Sequence, residues 1–129
     1  MPSKAEHAEK YRQNRAILDG PPMLSSLSGP WAATVAFYAA VHLIEKLAAK
    51  DGIHHARHVG PASRAGYLAT HPIHRVLYSQ LSALFTASLV ARYESDMAFT
   101  AAFPGDVVQT TLIDKCLAAI ELHVAIHAP

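Results

Sequence analysis

The sequence predicts an all-α protein, an up-down four-helix bundle with an additional short helix. Apolar residues recur at spacings of three and four along most of the chain, and no segment alternates apolar and polar residues as a strand does. The connections between the apolar segments are short, which favours neighbouring helices that alternate in direction. The 129 residues fit a single domain, 1–129, with an internal linker at 20–29.

The first helix is predicted over residues 3–19, a largely polar segment. Ser3 is followed three residues later by Glu6, the spacing of a capping box in which side chains satisfy backbone amides of the first turn. The sequence Asp-Gly-Pro-Pro at 19–22 ends this helix, because glycine and proline do not continue it. The linker at 20–29 follows.

The second helix, between Pro30 and Gly52, is the strongest element. Proline fits the first turn of a helix, where its missing N–H would have no partner, and glycine supplies a left-handed stop. The segment is apolar around most of its circumference, which predicts the central helix of the bundle. Its polar residues are three or four apart and therefore share one arc: Thr34, Tyr38, His42, Glu45 and Lys46.

The rest of the chain supplies the remaining helices. His71 precedes a proline, which disfavours helical backbone, and Asp106 has the side chain of a helix cap. The predicted elements are a loop at 53–60, a short helix at 61–70, a helix at 73–93, a turn-rich connection at 94–106 and a last helix from Asp106 to about His127. The last helix repeats an inward residue every four positions: Val108, Leu112, Cys116, Ile120 and Val124.

Charge is unevenly distributed along the chain. Between Gly52 and Tyr93 there is no acidic residue, but there are four arginines and five histidines, although the net charge of the whole chain is only +1. The flat guanidinium of arginine forms paired hydrogen bonds with carboxylate or phosphate. A basic surface for a phosphate-bearing ligand is one interpretation of this segment, and ordinary solvent-exposed arginines are the other.

Histidines at helical spacing give a second set of candidates. His54 and His58 are four residues apart, but no carboxylate or cysteine nearby completes a metal site. His123 and His127 have the same spacing, and together with His42 they could form a three-histidine site. Such a site occurs in the DinB-like metal-binding bundles, which this chain resembles in size. The alternative interpretation is that these imidazoles form structural hydrogen bonds.

Arg64 and His71 are a third candidate, with six residues between them. An arginine near the start of a helix can hold a phosphate, and a histidine can transfer protons near neutral pH. Together they would suffice for cleavage of RNA without a metal, because the 2′-hydroxyl is the internal nucleophile. Two unrelated surface residues are the competing interpretation.

Several classes of function are excluded by their missing motifs. The sequence has no Gly-x-Ser-x-Gly elbow, no glycine-rich phosphate loop and no Cys-x-x-Cys, and we expect no cofactor. The single cysteine, Cys116, rules out a disulfide framework within the chain and fits a reducing, cytoplasmic compartment. Polar residues interrupt the apolar segment 31–49, so a buried core helix is expected rather than a membrane span.

The order of these motifs resembles the HEPN domain family of bacteria and archaea over roughly residues 30–127. Members carry an aromatic-Tyr-Ala sequence, a histidine in the apolar run that follows, a glycine, and a loop ending in histidine before a small residue. An arginine, an aromatic residue and an acid come later, before a turn and the last helix. The matching residues are Phe37-Tyr38-Ala39, His42, Gly52, His58 with Gly60, and Arg92-Tyr93-Glu94.

The resemblance implies a helical homodimer, in many cases part of a toxin–antitoxin or other defence system. In catalytic members an Arg-x(4–6)-His motif meets its copy across the dimer cleft, and Arg64 with His71 fits that spacing. Members with the Tyr-Ala and His-Gly pattern often lack this pair and bind nucleotides or a partner protein. The chain is also only 16% charged, below the about 25% of typical domains, which favours burial against a second copy.

We therefore expect a homodimer with an Arg/His-lined cleft for RNA or a nucleotide, and with metal-independent ribonuclease activity as one outcome. The expected catalytic pair is Arg64 and His71. The expected cleft walls are Tyr38, His42, Arg57, His58, Arg64 and Arg92. The alternatives are an interaction module that partners a nucleotidyltransferase-like protein, and the metal-binding bundle with ligands His42, His123 and His127.

Overall fold

A computed structural model describes residues 3–18, 29–53 and 63–129 of the chain. Most of the predicted linker and loop therefore lies outside the described residues. All regular structure in the described ranges is helical, as the sequence predicts. The helices are α1 (Lys4–Leu18), α2 (Gly29–Lys50), α3 (Arg64–Thr70), α4 (Tyr78–Tyr93), α5 (Asp96–Ala102) and α6 (Ala118–His127), with a 3₁₀ helix at His74–Leu77 and a π-helical segment at Val108–Leu117.

Helix α2 is the central element, as predicted. It packs against α1 and α4, and also against the π-helical segment and α6. Its length and composition would allow it to cross a membrane, but 72% of its most apolar window is buried inside the protein. That burial is characteristic of the core helix of a soluble domain. Five of its alanines are fully buried, and their small side chains allow close helix packing: Ala33, Ala36, Ala39, Ala40 and Ala48.

Contacts at the helix ends define the directions of the long helices. The Lys4 ammonium at the start of α1 donates to the Pro129 carbonyl at 2.8 Å, and Lys50 at the end of α2 donates to the His127 carbonyl. At the other end of α2, Gly29 packs against Phe99 of α5, just beyond the end of α4. Both α1 and α4 therefore run antiparallel to α2, whereas α6 runs parallel to it.

The ends of α1 and α2 follow the sequence signals. The Ser3 hydroxyl accepts a hydrogen bond from the Glu6 amide at 3.2 Å, so the predicted cap is present. Gly52 has a φ of +75°, a left-handed conformation that costs glycine little, and the Ile53 amide just beyond it donates to the Ala48 carbonyl at 2.9 Å. The stop at Gly52 leaves Asp51 immediately beyond the central helix.

The last predicted helix differs from expectation in its winding. Residues Val108–Leu117 form a π-helix and only Ala118–His127 is α-helical. The inward residues recur every four positions. In an α-helix of about 3.6 residues per turn, four residues make more than one full turn, so successive inward residues drift around the helix. A π-helical turn contains more residues, so the same four residues make less than one full turn there. The drift in the π-helical part therefore opposes the drift in the α-helical part. All five inward residues predicted for this segment are buried.

Two boundaries in the middle of the chain correct the sequence prediction. Helix α3 begins at Arg64 rather than at residue 61, because the Ser63 hydroxyl caps it by accepting from the Gly66 amide at 3.0 Å. The connection at 94–106, predicted as turns, contains helix α5. The Ser95 hydroxyl caps α5 in the same way, and the buried Phe99 fixes it to the core.

Candidate functional site

Two of the predicted cleft residues meet between α2 and α4. The Arg92 guanidinium donates to the Tyr38 hydroxyl at 3.4 Å. The same guanidinium donates to the Ser88 carbonyl at 3.2 Å and lies 5.3 Å from the centre of the Tyr93 ring. Because these neighbours are neutral, they orient the guanidinium without cancelling its charge.

The surface around this pair is an open groove of about 460 Å³. Trp31, the only tryptophan of the chain, lines the groove and is 64% exposed. Asp96, at the start of α5, supplies the one carboxylate among its lining residues. We name this surface the Trp31–Arg92 groove, and its lining residues are Pro30, Trp31, Thr34, Tyr38, Ala91, Arg92 and Asp96.

His42 has a different neighbour from Tyr38, although both lie on the polar arc of α2. Its Nδ1 atom is 3.2 Å from Nδ1 of His7 on α1. Burial, together with the charge of His7, lowers the pKa of His42, so the imidazole is neutral at pH 7. His42 is therefore a structural contact between α1 and α2.

Arg64 is held by an acid of α2. Its Nε atom lies 2.5 Å from the Glu45 carboxylate, which is 7% exposed. This ion pair fixes the start of α3 against α2 and compensates the charge of Arg64. Arg57 and His58, the other two predicted cleft residues, lie outside the described residues.

Within one chain, the two residues of the predicted catalytic pair contact different partners. Arg64 begins α3 and His71 follows its end, and seven helical residues span about 10 Å. Arg64 contacts Glu45, whereas the His71 ring stacks on His74 with the ring centres 4.0 Å apart. Pairing across a dimer, as the family resemblance implies, stays a prediction.

Four histidines from three elements meet beyond the end of α2. His74 of the 3₁₀ helix contacts all the others: Nδ1 of His74 is 2.9 Å from Nε2 of His123, and its ring centre is 5.4 Å from that of His127. We name His71, His74, His123 and His127 the histidine cluster. No contact among the described residues joins it to His42, so the predicted set of His42, His123 and His127 does not converge on one point.

Burial and mutual repulsion favour the neutral form of two members of this cluster, His74 and His123. Desolvation, followed by the charges that His71, His123 and His127 would carry, lowers the pKa of His74 to about 4. Burial, followed by the charges of His127 and His71, also lowers the pKa of His123. At pH 7 the imidazoles of His74 and His123 are therefore hydrogen-bonding groups and lone-pair donors rather than cations.

An acid and a base of α2 border the cluster. Asp51 and Lys50 line a cavity of about 190 Å³ together with His71, His74 and His127. The Tyr67 hydroxyl of α3 donates to the Asp51 carboxylate at 3.1 Å. Burial, and then the charge of Asp51, raises the pKa of Tyr67, so the phenol keeps the proton that it donates.

Sequence reasoning missed the role of His74 and of Asp51 in this region. His71 and His74 are three apart, and His123 and His127 are four apart, which are the spacings of neighbours on one helix face. Those spacings were a usable signal for each pair. The meeting of the two pairs depends on how α6 packs against the 3₁₀ helix, which spacing does not encode.

Comparison with known proteins yields no relative from which to assign a function. Neither protein-family models nor curated proteins nor solved structures show a significant match to this chain.

Proposed function

We propose that the protein binds a phosphate-bearing ligand, a nucleotide or single-stranded RNA, in the Trp31–Arg92 groove. The observation that carries the proposal is the placement of Arg92, whose partners Tyr38 and Ser88 are uncharged. A guanidinium oriented in this way can donate a pair of hydrogen bonds to a phosphate. Arg64, by contrast, already has a carboxylate partner in Glu45.

The aromatic side of the groove supports a nucleobase as the second part of the ligand. Trp31 is 64% exposed and Tyr38 is 40% exposed, although both are large rings that are usually buried. Nucleobases stack on such rings, and stacking is typically worth about 1–3 kcal/mol per base. A ligand with both a base and a phosphate would use Trp31 and Arg92 together.

Asp96 gives the groove a selectivity against highly charged ligands. Its carboxylate lies in the same lining as Arg92 and repels phosphate oxygens. Replacing Asp96 with asparagine should therefore tighten binding of an anion, whereas replacing Arg92 should weaken it. Opposite effects at these two positions would locate the phosphate between them.

The resemblance to HEPN domains agrees with this ligand class and adds a cytoplasmic homodimer to the proposal. Large apolar side chains remain exposed on two faces of the chain, which supports burial against a second copy or a cognate protein partner. These side chains include Tyr93 and Met97 near the groove and Leu122 and Ile126 on α6. Light scattering after gel filtration tests the dimer, since one chain has a mass of 13.9 kDa.

Trp31 provides a direct test of ligand binding, because its fluorescence is the only tryptophan signal. We expect titration with adenosine diphosphate or a short oligoribonucleotide to change this fluorescence at low salt, and high salt to weaken binding. Arg92→Gln should weaken binding at least about tenfold, the loss expected for a charge-assisted hydrogen bond. Arg75→Gln, at an exposed arginine in a different surface depression, is the matched control.

Calorimetry separates the two halves of the proposed ligand. Trp31→Ala should weaken the binding of adenosine diphosphate but leave any binding of inorganic phosphate unchanged. The proposal fails if neither nucleotide nor RNA binds at low salt, or if Arg92→Gln and Arg75→Gln have the same effect.

A further inference from the structure

A second site lies in the cavity beyond the end of α2 and is independent of the groove. Asp51, His71 and His74 each offer one ligand atom, and these three atoms lie within 4.8 Å of one another. One ion could therefore contact all three after small rotations of the side chains. Asp51 comes from the end of α2, whereas both histidines lie between α3 and α4, so the site joins two parts of the fold.

We propose that Asp51, His71 and His74 bind one divalent transition-metal ion. Imidazole nitrogen together with a carboxylate is a ligand set that suits Zn²⁺ and its neighbours Co²⁺ and Ni²⁺, whereas Mg²⁺ and Ca²⁺ prefer oxygen ligands alone. Three protein ligands leave a position open to water or to another molecule. This set differs from the three histidines that the sequence suggests, since only the fold brings Asp51 to His71 and His74.

Neighbouring groups already orient two of the three ligands. The Tyr67 hydroxyl donates to one oxygen of Asp51 at 3.1 Å, and the other carboxylate oxygen can face an ion. The bond between His74 and His123 can be donated by Nδ1 of His74, and Nε2 of His74 then carries a lone pair for the ion. Hydrogen bonds of this kind behind the ligands are a regular feature of metal sites in proteins.

His71 is the ligand whose bonding must change. Its Nδ1 atom accepts from the amides of Ile73 at 3.1 Å and His74 at 3.3 Å, so the ring proton is on Nε2 in the metal-free protein. An ion at Nε2 would move that proton to Nδ1 and break both amide bonds. An ion at Nδ1 would replace them directly. Either way, the amides of Ile73 and His74 lose their acceptor when the metal binds.

The space around these three side chains also suits an ion. All three line the cavity of about 190 Å³, so an ion held among them has room for a bound water molecule. Among the described residues, no other group of at least three histidine, cysteine, aspartate or glutamate side chains converges in this way.

The experiment is a calorimetric titration of untagged protein with Zn²⁺, supported by the absorption spectrum of the Co²⁺ complex. We expect one ion per chain. Asp51→Asn should weaken Zn²⁺ binding by more than about tenfold, and Tyr67→Phe by up to about tenfold through the lost hydrogen bond to Asp51. Asp51 is exposed, and Tyr67→Phe removes only the hydroxyl of a buried ring, so these variants endanger the fold less than a change of the buried His74. Asp114→Asn, at an exposed aspartate, is the matched control and should bind normally.

Two further measurements decide the location of the ion. The amide resonances of Ile73 and His74 should shift on addition of Zn²⁺, because they lose their acceptor on His71. A variant with His54, His55 and His58 all replaced by asparagine should bind as the wild type does. The proposal is overturned if no Zn²⁺ binds, if Asp51→Asn binds normally, or if binding disappears in the triple variant.

Discussion

The surroundings of the two halves of helix α2 differ in whether their basic side chains carry a charge. In its amino-terminal half, Tyr38 faces Arg92, whose permanent charge is presented to an open groove. Beyond its carboxyl end, three other imidazoles surround the buried His74, and burial together with these neighbours lowers the pKa of His74 to about 4. Guanidinium stays charged in both environments because its pKa is very high, whereas imidazole is discharged by burial. Within the described residues, the basic side chains of the acid-free stretch therefore do not form one basic surface.

Arg64 shows a third outcome for the same residue type. It lies between the two regions, where the Glu45 carboxylate compensates its charge. The structure describes two of the three arginines predicted to hold phosphate. The proposed anchor for a ligand is the one with neutral neighbours, Arg92, whereas Arg64 has an acidic partner and contributes to the fold. The partner on the neighbouring helix decides between these two roles.

The largest expected effect comes from the core that joins the two regions. Ile44 of α2 lies between them and is fully buried, so Ile44→Ala should lower the free energy of unfolding by about 3 kcal/mol. Ile126→Ala removes the same atoms from a side chain that is 65% exposed. This variant should change the free energy of unfolding by less than about 0.5 kcal/mol. Urea unfolding measures both variants. Separate transitions for Trp31 fluorescence and circular dichroism would show instead that the two regions unfold independently.

An intermediate effect on stability is expected when acid protonates His74. The pKa of His74 is about 4 in the folded protein, below its value of about 6.5 in the unfolded chain, so unfolding takes up a proton. Its stability contribution is fully present above pH 6.5 and is lost as the pH falls toward 4. We expect a loss of roughly 2 kcal/mol, measured by urea unfolding at a series of pH values.

His74→Gln tests the origin of that pH dependence. The glutamine side chain does not titrate, so this variant should lose less stability than the wild type between pH 6.5 and 4. His42 contributes in the same direction because its pKa is also lowered, so some pH dependence should remain. If wild type and variant lost equal stability between pH 6.5 and 4, groups other than His74 would cause the pH dependence.

The smallest expected effect separates the two arginines. Arg64→Gln leaves the buried Glu45 without its guanidinium partner and should destabilise the protein by about 1 kcal/mol. Arg92→Gln should change stability by less than about 0.5 kcal/mol, because its contacts are partly exposed, and should act on ligand binding instead. The double variant Glu45→Gln, Arg64→Gln should recover part of the loss. If Arg92→Gln were the more destabilising change, the roles assigned to the two arginines would be reversed.

The sequence alone predicted the helical class, the central position of α2 and several helix ends, since these depend on local patterns. The Ser3 cap, the stop at Gly52 and the buried stripe from Val108 to Val124 all follow from residues close to one another in the chain. Helix α5 was missed because Phe99, which fixes it, finds its partners only in the folded core. The same limit applies to both sites.

Residue types and spacing determined which groups this chain could use: arginines without nearby acids in sequence, and histidines at helical intervals. Tertiary structure decided which of them meet. It placed Glu45 beside Arg64, Tyr38 beside Arg92, and Asp51 near His71 and His74. The physical reason is that the charge and the accessibility of a side chain depend on the groups packed against it, and these come from helices distant in sequence.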